Sequence, residues 1–444
     1  MKPILVVTGP VATRSGYGSH SRDLVRALVA MDKFDIHINS LKWGNTPMNA
    51  LNSEDSNDKL ILDRIMTDGN LPRQPEIHIQ ISVPNEFNPM AKYNIGVTAG
   101  IETTSPKPEW IEGLNRMNFN IVPSSFSKKI FQDSVYDRMD ENTKQKVGEL
   151  KVEKPIEILF EGVDTEVFKK TSKLSKDFVN EMKNIKESFV FLYTGHWLQG
   201  KLGQDRKDTG MLVKTFLETF KNKSIQPALL LKTSGATFSI IDRNEIKEKI
   251  ENIKNTVSGK LPGVFFLHGD LTDREMNELN NHPKVKAHIS FTHGEGFGRP
   301  LLEATLSKKP VIASNWSGHL DFLNNNTAVL LSGALVDVPK SGLSKDYRVD
   351  GAKWFTVNYQ YASKVMLDIY KNYRKYTLNA KKMAIYNKSK YSLKSMTSQF
   401  DKILEKYLPK FEDAPQQVDL KLPKLKKVGD ESPKTIKLPK LKKV

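Results

Sequence analysis

The chain has no cysteine among its 444 residues. Disulfides, thiolate nucleophiles and cysteine-held zinc are thereby excluded, and the composition fits a cytoplasmic protein. There is no Asp-x-Asp pair, and the nine histidines show no metal-ligand spacing, so no metal and no bound cofactor are expected. No run approaches the roughly 18 uncharged apolar residues of a membrane helix. The opening MKPILVVTGP is short and leads directly into a strand pattern, so it does not read as a signal peptide. Acids are in deficit: 51 Asp and Glu stand against 68 Lys and Arg, a net charge of +17. Residues 413–444 hold nine lysines and four acids, or +5, which leaves +12 for the rest. Such a surplus favours a polyanion (nucleic acid, an anionic membrane face or a phosphorylated acceptor); a merely solubilising surface accounts for it as well. The length exceeds the roughly 250–300 residues at which single cores stop growing, so at least two domains are expected.

The densest information lies in residues 291–321, FTHGEGFGRPLLEATLSKKPVIASNWSGHLD. An apolar run, Val285 to Phe291, reads as a buried strand. A loop with Gly294, Gly296 and Gly298 follows, then Pro300 at the expected first helical position, a helix over Leu301–Leu306 and a strand over Pro310–Ala313. A glycine loop running into a helix start favours an anion such as a diphosphate. Glu295 in the loop and Glu303 in the expected first helical turn can accept hydrogen bonds from hydroxyls. An anion cradle flanked by hydroxyl acceptors suits a nucleotide sugar.

Glu295-Gly-Phe-Gly-Arg-Pro-Leu-Leu-Glu303-Ala, followed by Lys309-Pro-Val-Ile-Ala, resembles the Glu-x7-Glu signature of retaining glycosyltransferases with the GT-B fold, family 4 in particular. The resemblance implies two Rossmann-like, doubly wound parallel-sheet domains facing a cleft, with C-terminal helices crossing back to the first. It implies that Glu295 meets the donor sugar and Glu303 the nucleotide ribose, with His293, Gly296, Phe297 and Gly298 around the donor. Gly318 and His319, in the turn after the next strand, are further candidates there, although for the lone His319 a packed or capping role is favoured.

Before this stretch the pattern alternates strand and helix. Ile4–Thr8 leads into a glycine loop ending at Gly16 and Gly18, which the resemblance places at the cleft. Strand-like runs recur at 34–41, 77–83, 93–97, 120–122 and 157–160, with polar insertions at 45–74 and 137–154. Glu102 follows a strand end, where many family members carry a histidine. In the second half, strands are expected over Phe189–Thr194, Ala228–Lys232 and Val264–His268, and a helix over Asp273–Asn281. Lys207, with Arg206 beside it, holds the place of the basic residue that in the family binds the donor diphosphate. Fixed cations there would stabilise a leaving nucleoside diphosphate. Residues 354–408 read as wholly helical.

The domains expected are 1–168, 187–353, a helical stretch 354–411, and a disordered basic tail 412–444 in which KLPKLKKV occurs twice, at 421–428 and 437–444. Two identical basic octamers are candidates for docking a polyanion or partner protein. The expected activity is retaining transfer of a sugar from a nucleotide sugar to a hydroxyl. The acceptor is a glycan or lipid-linked molecule, which would place the protein peripherally at a membrane face, or alternatively a hydroxylated base in DNA.

Overall fold

The computed structural model describes residues 2–411, apart from 68, 141, 236, 325, 345 and 346. The repeated octamers of the tail lie outside these residues.

The first half is built on six parallel strands. Ile4–Gly9 (β1) is buried throughout and runs into Gly16–Met31 (α1). Ser15 caps that helix, its Oγ accepting from the Gly18 N–H at 2.9 Å. Asp35–Ser40 (β2), Ser56–Leu62 (α2), Ile77–Ile81 (β3), Tyr93–Val97 (β4), Pro108–Arg116 (α3), Phe119–Val122 (β5) and Ser125–Asp133 (α4) follow. The charged insertion 137–154 is an antiparallel hairpin of Tyr136–Met139 (β6) and Lys146–Leu150 (β7). Ile156–Ile158 (β8) closes a sheet of order β2-β1-β3-β4-β5-β8.

Lys176–Glu181 (α5) precedes the second sheet. Its strands are Val190–His196 (β9), Ala228–Ser234 (β10), Val264–Leu267 (β11), Val285–Ile289 (β12), Val311–Ser314 (β13) and Val329–Leu331 (β14), ordered β11-β10-β9-β12-β13-β14. Between them lie Thr209–Phe220 (α6), Ile240–Lys254 (α7), Asp273–Asn281 (α8) and Arg299–Thr305 (α9). One face of the sheet packs Phe191, Phe216 and Phe220 in a single buried cluster; each such ring stabilises the fold by about 1.5–3 kcal/mol. Sequence reading places both sheets, because their strands are apolar-rich, some continuous as in Ile4–Val7 and Val264–Leu267 and some alternating as in Ile77–Ile81.

Two local expectations need correction. The stretch from Trp354 is not helical at its start: Lys353–Val357 (β16) pairs antiparallel with Gly333–Asp337 (β15). Trp354, Phe355 and Val357 are buried there, and large or β-branched side chains favour a pleated strand. The second concerns α9, which begins at Arg299, not at Pro300 or Leu301. Glu303 is its fifth residue and lies beyond the first turn.

Three helices end the described chain: Tyr359–Lys371 (α10), Tyr373–Lys390 (α11) and Leu393–Tyr407 (α12). They do return to the first half. Gln399 Nε2 donates to the Ile158 carbonyl at 2.6 Å, and the Tyr407 ring stacks on Phe119 with centroids 4.6 Å apart. Among the described residues, no helix is long and apolar enough to cross a membrane.

Candidate functional site

A cleft of about 1130 Å³ lies between the sheets, at the carboxyl ends of their strands. Its first-half wall comes from the segments after β1 (Arg14–Tyr17), β3 (Glu86) and β4 (residues 99–107). The second-half wall comes from the ends of β9 and β10, the turn before α6, and the glycine loop with the start of α9.

Four of the residues named from sequence meet here as two ion pairs. Lys207 Nζ bonds Glu295 Oε1, and Arg206 Nη1 bonds Glu102 Oε1 across the halves. The turn before α6 makes this arrangement. Asp205 Oδ2 accepts from the Thr209 N–H at 2.9 Å, and buried Asp208 takes a left-handed backbone (φ 51°) and accepts from the Tyr359 hydroxyl at 2.8 Å. With both acids turned inward, the residues between them project into the cleft. Burial works against charge on Glu295, but the Lys207 and Arg206 cations outweigh it and hold its carboxyl below the usual range. Burial likewise opposes charge on Arg206, and Glu102 and Glu295 keep it charged.

The three loop glycines have specific reasons, and only one is conformational. A Cβ at Gly294 would lie 2.2 Å from the Glu102 carbonyl oxygen, and one at Gly296 would lie 2.0 Å from that of Ala99. These two glycines let the loop lie directly against the first half. Gly298, at φ +95°, is the α9 cap. The Glu295 N–H donates to Ser317 Oγ at 2.9 Å, and the Gly296 carbonyl accepts from Ser124 Oγ at 2.6 Å, so part of the loop's backbone is engaged by protein. Phe297 is buried beside Phe322.

Glu303 is not among the residues lining the cleft. It accepts from Arg299 Nε at 2.8 Å, and Arg299 in turn bonds Asp23 of α1. Burial is the main cause that raises the Glu303 carboxyl to about 7, although Arg299 pulls the other way. Glu161, buried and lining the cleft near this cluster, is pushed up by burial to about 8. Arg299, Asp23 and Glu161 are absent from the sequence-based site. Arg299 stood inside the signature, so its charge among apolar neighbours was the available signal; nothing in sequence joined it to Asp23, 276 residues away.

Other candidates fall elsewhere. His293 is fully buried, stacked on Trp354 with centroids 4.1 Å apart, and its Nδ1 is 2.7 Å from the Phe355 carbonyl. It does not line the cleft, and neither does His319, buried with Nε2 2.7 Å from the Ser314 carbonyl. Gly16 and Gly18 belong to the first turn of α1, not to a loop. Gly16 lines the cleft, whereas Gly18 is buried, and a Cβ there would lie 2.3 Å from the Thr13 carbonyl oxygen. Sequence reading also missed Tyr17 and Trp43, whose rings stack 4.2 Å apart on the first-half wall.

This architecture is shared with solved structures. HepE of Anabaena, in complex with UDP and glucose, matches with a TM-score of 0.57 over 91% of this chain and 100% of its own, at 12% identity. A glycosyltransferase from Rickettsia africae matches at 0.58 over 92% and 99%, with 16% identity. Sucrose-phosphate synthase from Thermosynechococcus elongatus matches at 0.59 over 91% and 99%, with 13% identity. The chain has the GT-B fold. Within the second half of this GT-B chain, residues 213–346 match the family described as glycosyl transferases group 1. That span includes Glu295 and Glu303 and begins just after Lys207. No curated protein matches the chain by sequence.

Proposed function

We propose that this protein transfers a sugar, with retention of configuration, from a nucleotide-sugar donor to a hydroxyl of a glycan or lipid-linked acceptor. The observation that carries the reading is the convergence of Arg206, Lys207 and Glu295 in the cleft, where the group 1 glycosyl transferase span meets the first half. HepE, which shares the fold, was solved with UDP-glucose, so that compound is the first donor to try.

In this reading Arg206 and Lys207 face the donor diphosphate. As the glycosidic bond breaks, the diphosphate gains negative charge, and cations already fixed in place lower the barrier without reorganising. The donor phosphates take over Lys207 from Glu295, which frees the Glu295 carboxylate to accept from sugar hydroxyls. Glu303, which Arg299 holds and which does not line the cleft, is assigned to the ribose by the signature alone. Retention follows from acceptor attack on the face that the diphosphate leaves. Leaving-group stabilisation by these side chains, together with the missing Asp-x-Asp, supports transfer without a divalent metal.

The test is donor hydrolysis and transfer with a panel of nucleotide sugars, with and without EDTA. Lys207→Ala is expected to lower turnover by about 10²–10³-fold, the scale for losing one charge-stabilising donor. EDTA should leave the wild type active. Activity abolished by EDTA and restored by manganese would overturn the metal-independent reading; an unaffected Lys207→Ala variant would remove Lys207 from the mechanism.

A further inference from the structure

Helix α11 presents an outer face that the proposed transfer does not use. Its 18 residues, YRKYTLNAKKMAIYNKSK, contain no acid. Ala380, Met383, Ala384 and Asn387 are buried against the protein. On the opposite side Leu378 and Ile385 are seven residues apart and 61% and 67% exposed, with Tyr386 beside them at 46%. Seven residues is two helical turns, so Leu378 and Ile385 form one ridge along the helix. Arg374, Lys381 and Lys388, also seven apart, run along one flank. Lys375 and Lys382 run along the other. Among the described residues, Lys375 alone of these five has an ion-pair partner, Asp368 at 3.5 Å. Near the helix start, the Lys286 ammonium lies 6.0 Å from the Tyr373 ring.

We propose that the outer face of α11 is a docking surface for an anionic lipid bilayer. The helix lies flat, its Leu378–Ile385 ridge enters the headgroup boundary, and the two lysine-rich rows engage acidic headgroups. An exposed apolar ridge between basic rows is the pattern of an interfacial helix. Unpaired cations at a bilayer surface each gain from the negative surface potential. Nucleic acid uses the cations but has no place for the ridge: backbone contacts are made by charge and hydrogen bonds, and aliphatic side chains between them would stay in water. At 1.5 Å per residue the helix is roughly 27 Å long, enough to set the protein's orientation on a surface. This inference does not depend on the proposed activity.

The absence of cysteine permits a direct test. In the full chain, Ile385→Cys gives one thiol for an environment-sensitive fluorophore, and Ile241→Cys on α7, 71% exposed as Ile241, gives a control. Vesicles of phosphatidylglycerol and phosphatidylcholine in equal parts should shift the label at 385 to the blue and brighten it severalfold. The label at 241 should not change, and pure phosphatidylcholine should affect neither. Adding Lys381→Glu, Lys382→Glu and Lys388→Glu to the Ile385→Cys chain should raise the lipid needed for half-maximal signal by at least about a hundredfold. Its thermal unfolding should match the parent, since all three residues are exposed. Vesicle binding with no change at 385 would assign the contact to another surface and overturn the proposal. A blue shift with duplex DNA but not with vesicles would overturn it in favour of nucleic acid.

Discussion

Glu161 sits in the cleft with its carboxyl raised by burial from an ordinary 4.5 to about 8. Between those values the folded protein binds a proton that the unfolded chain releases. The group's contribution therefore favours folding at low pH and is lost as pH rises, at up to about 1.4 kcal/mol per unit. Glu161→Gln, which cannot ionise, should flatten this decline in urea unfolding followed from about pH 5 to about pH 9; equal slopes in variant and parent would refute it. Glu303, also raised by burial, differs in accepting directly from Arg299 Nε at 2.8 Å. Glu303→Gln keeps an acceptor for Arg299 and should leave the fold intact. Under the proposed ribose role it should weaken UDP binding about tenfold, the scale of one hydrogen bond to a charged group. Unchanged affinity in calorimetry would end that assignment.

At the scale of elements, the glycine loop between β12 and α9 works by close approach. With a Cβ on residue 296 only 2.0 Å from the Ala99 carbonyl oxygen, Gly296→Ala must push two backbones apart. The expected loss is about 1–3 kcal/mol, as for overpacking elsewhere. Gly16→Ala is the matched control. Nothing lies within 4 Å of a Cβ there, and the position begins a helix. It should be neutral or stabilising by about 0.4–1 kcal/mol. Chemical denaturation of both variants checks the pair, and equal stabilities would show that the contact between loop and first half is dispensable. Sequence marked all three loop glycines as notable. It could not say that two of them serve an approach to a segment nearly 200 residues earlier.

Across the whole molecule, the halves are joined by ion pairs of unequal burial. Arg299 and Asp23 are 13% and 4% exposed at their side chains, and Arg14 and Asp270, 2.9 Å apart, are 27% and 35% exposed. Removing one partner of a buried pair costs about 3–5 kcal/mol because it strands the other charge. Asp23→Ala should fall near the lower end, since Glu303 still faces Arg299. Asp270→Asn should cost no more than about 1 kcal/mol, as exposed pairs do. Urea unfolding of the two variants gives the comparison; similar losses would mean that burial does not set the strength of the junction.

The amino-acid sequence by itself determined what repeats locally. Short apolar-rich runs, continuous at Val190–Tyr193 and alternating at Ile77–Ile81, are spaced by helical patterns and point to buried parallel strands, and the two sheets follow. The same local legibility exposed the Glu295–Glu303 signature and the basic pair Arg206–Lys207. Local pattern failed at Lys353–Val357, where pairing with β15 outweighs the helical context, and at His293, whose buried stacking on Trp354 sequence cannot reveal. Only the tertiary structure decided which charges meet. The bonds Lys207–Glu295, Arg206–Glu102 and Arg299–Asp23 span 88, 104 and 276 residues. No periodicity encodes such pairings, because Coulomb attraction and desolvation act on distance in space and not along the chain.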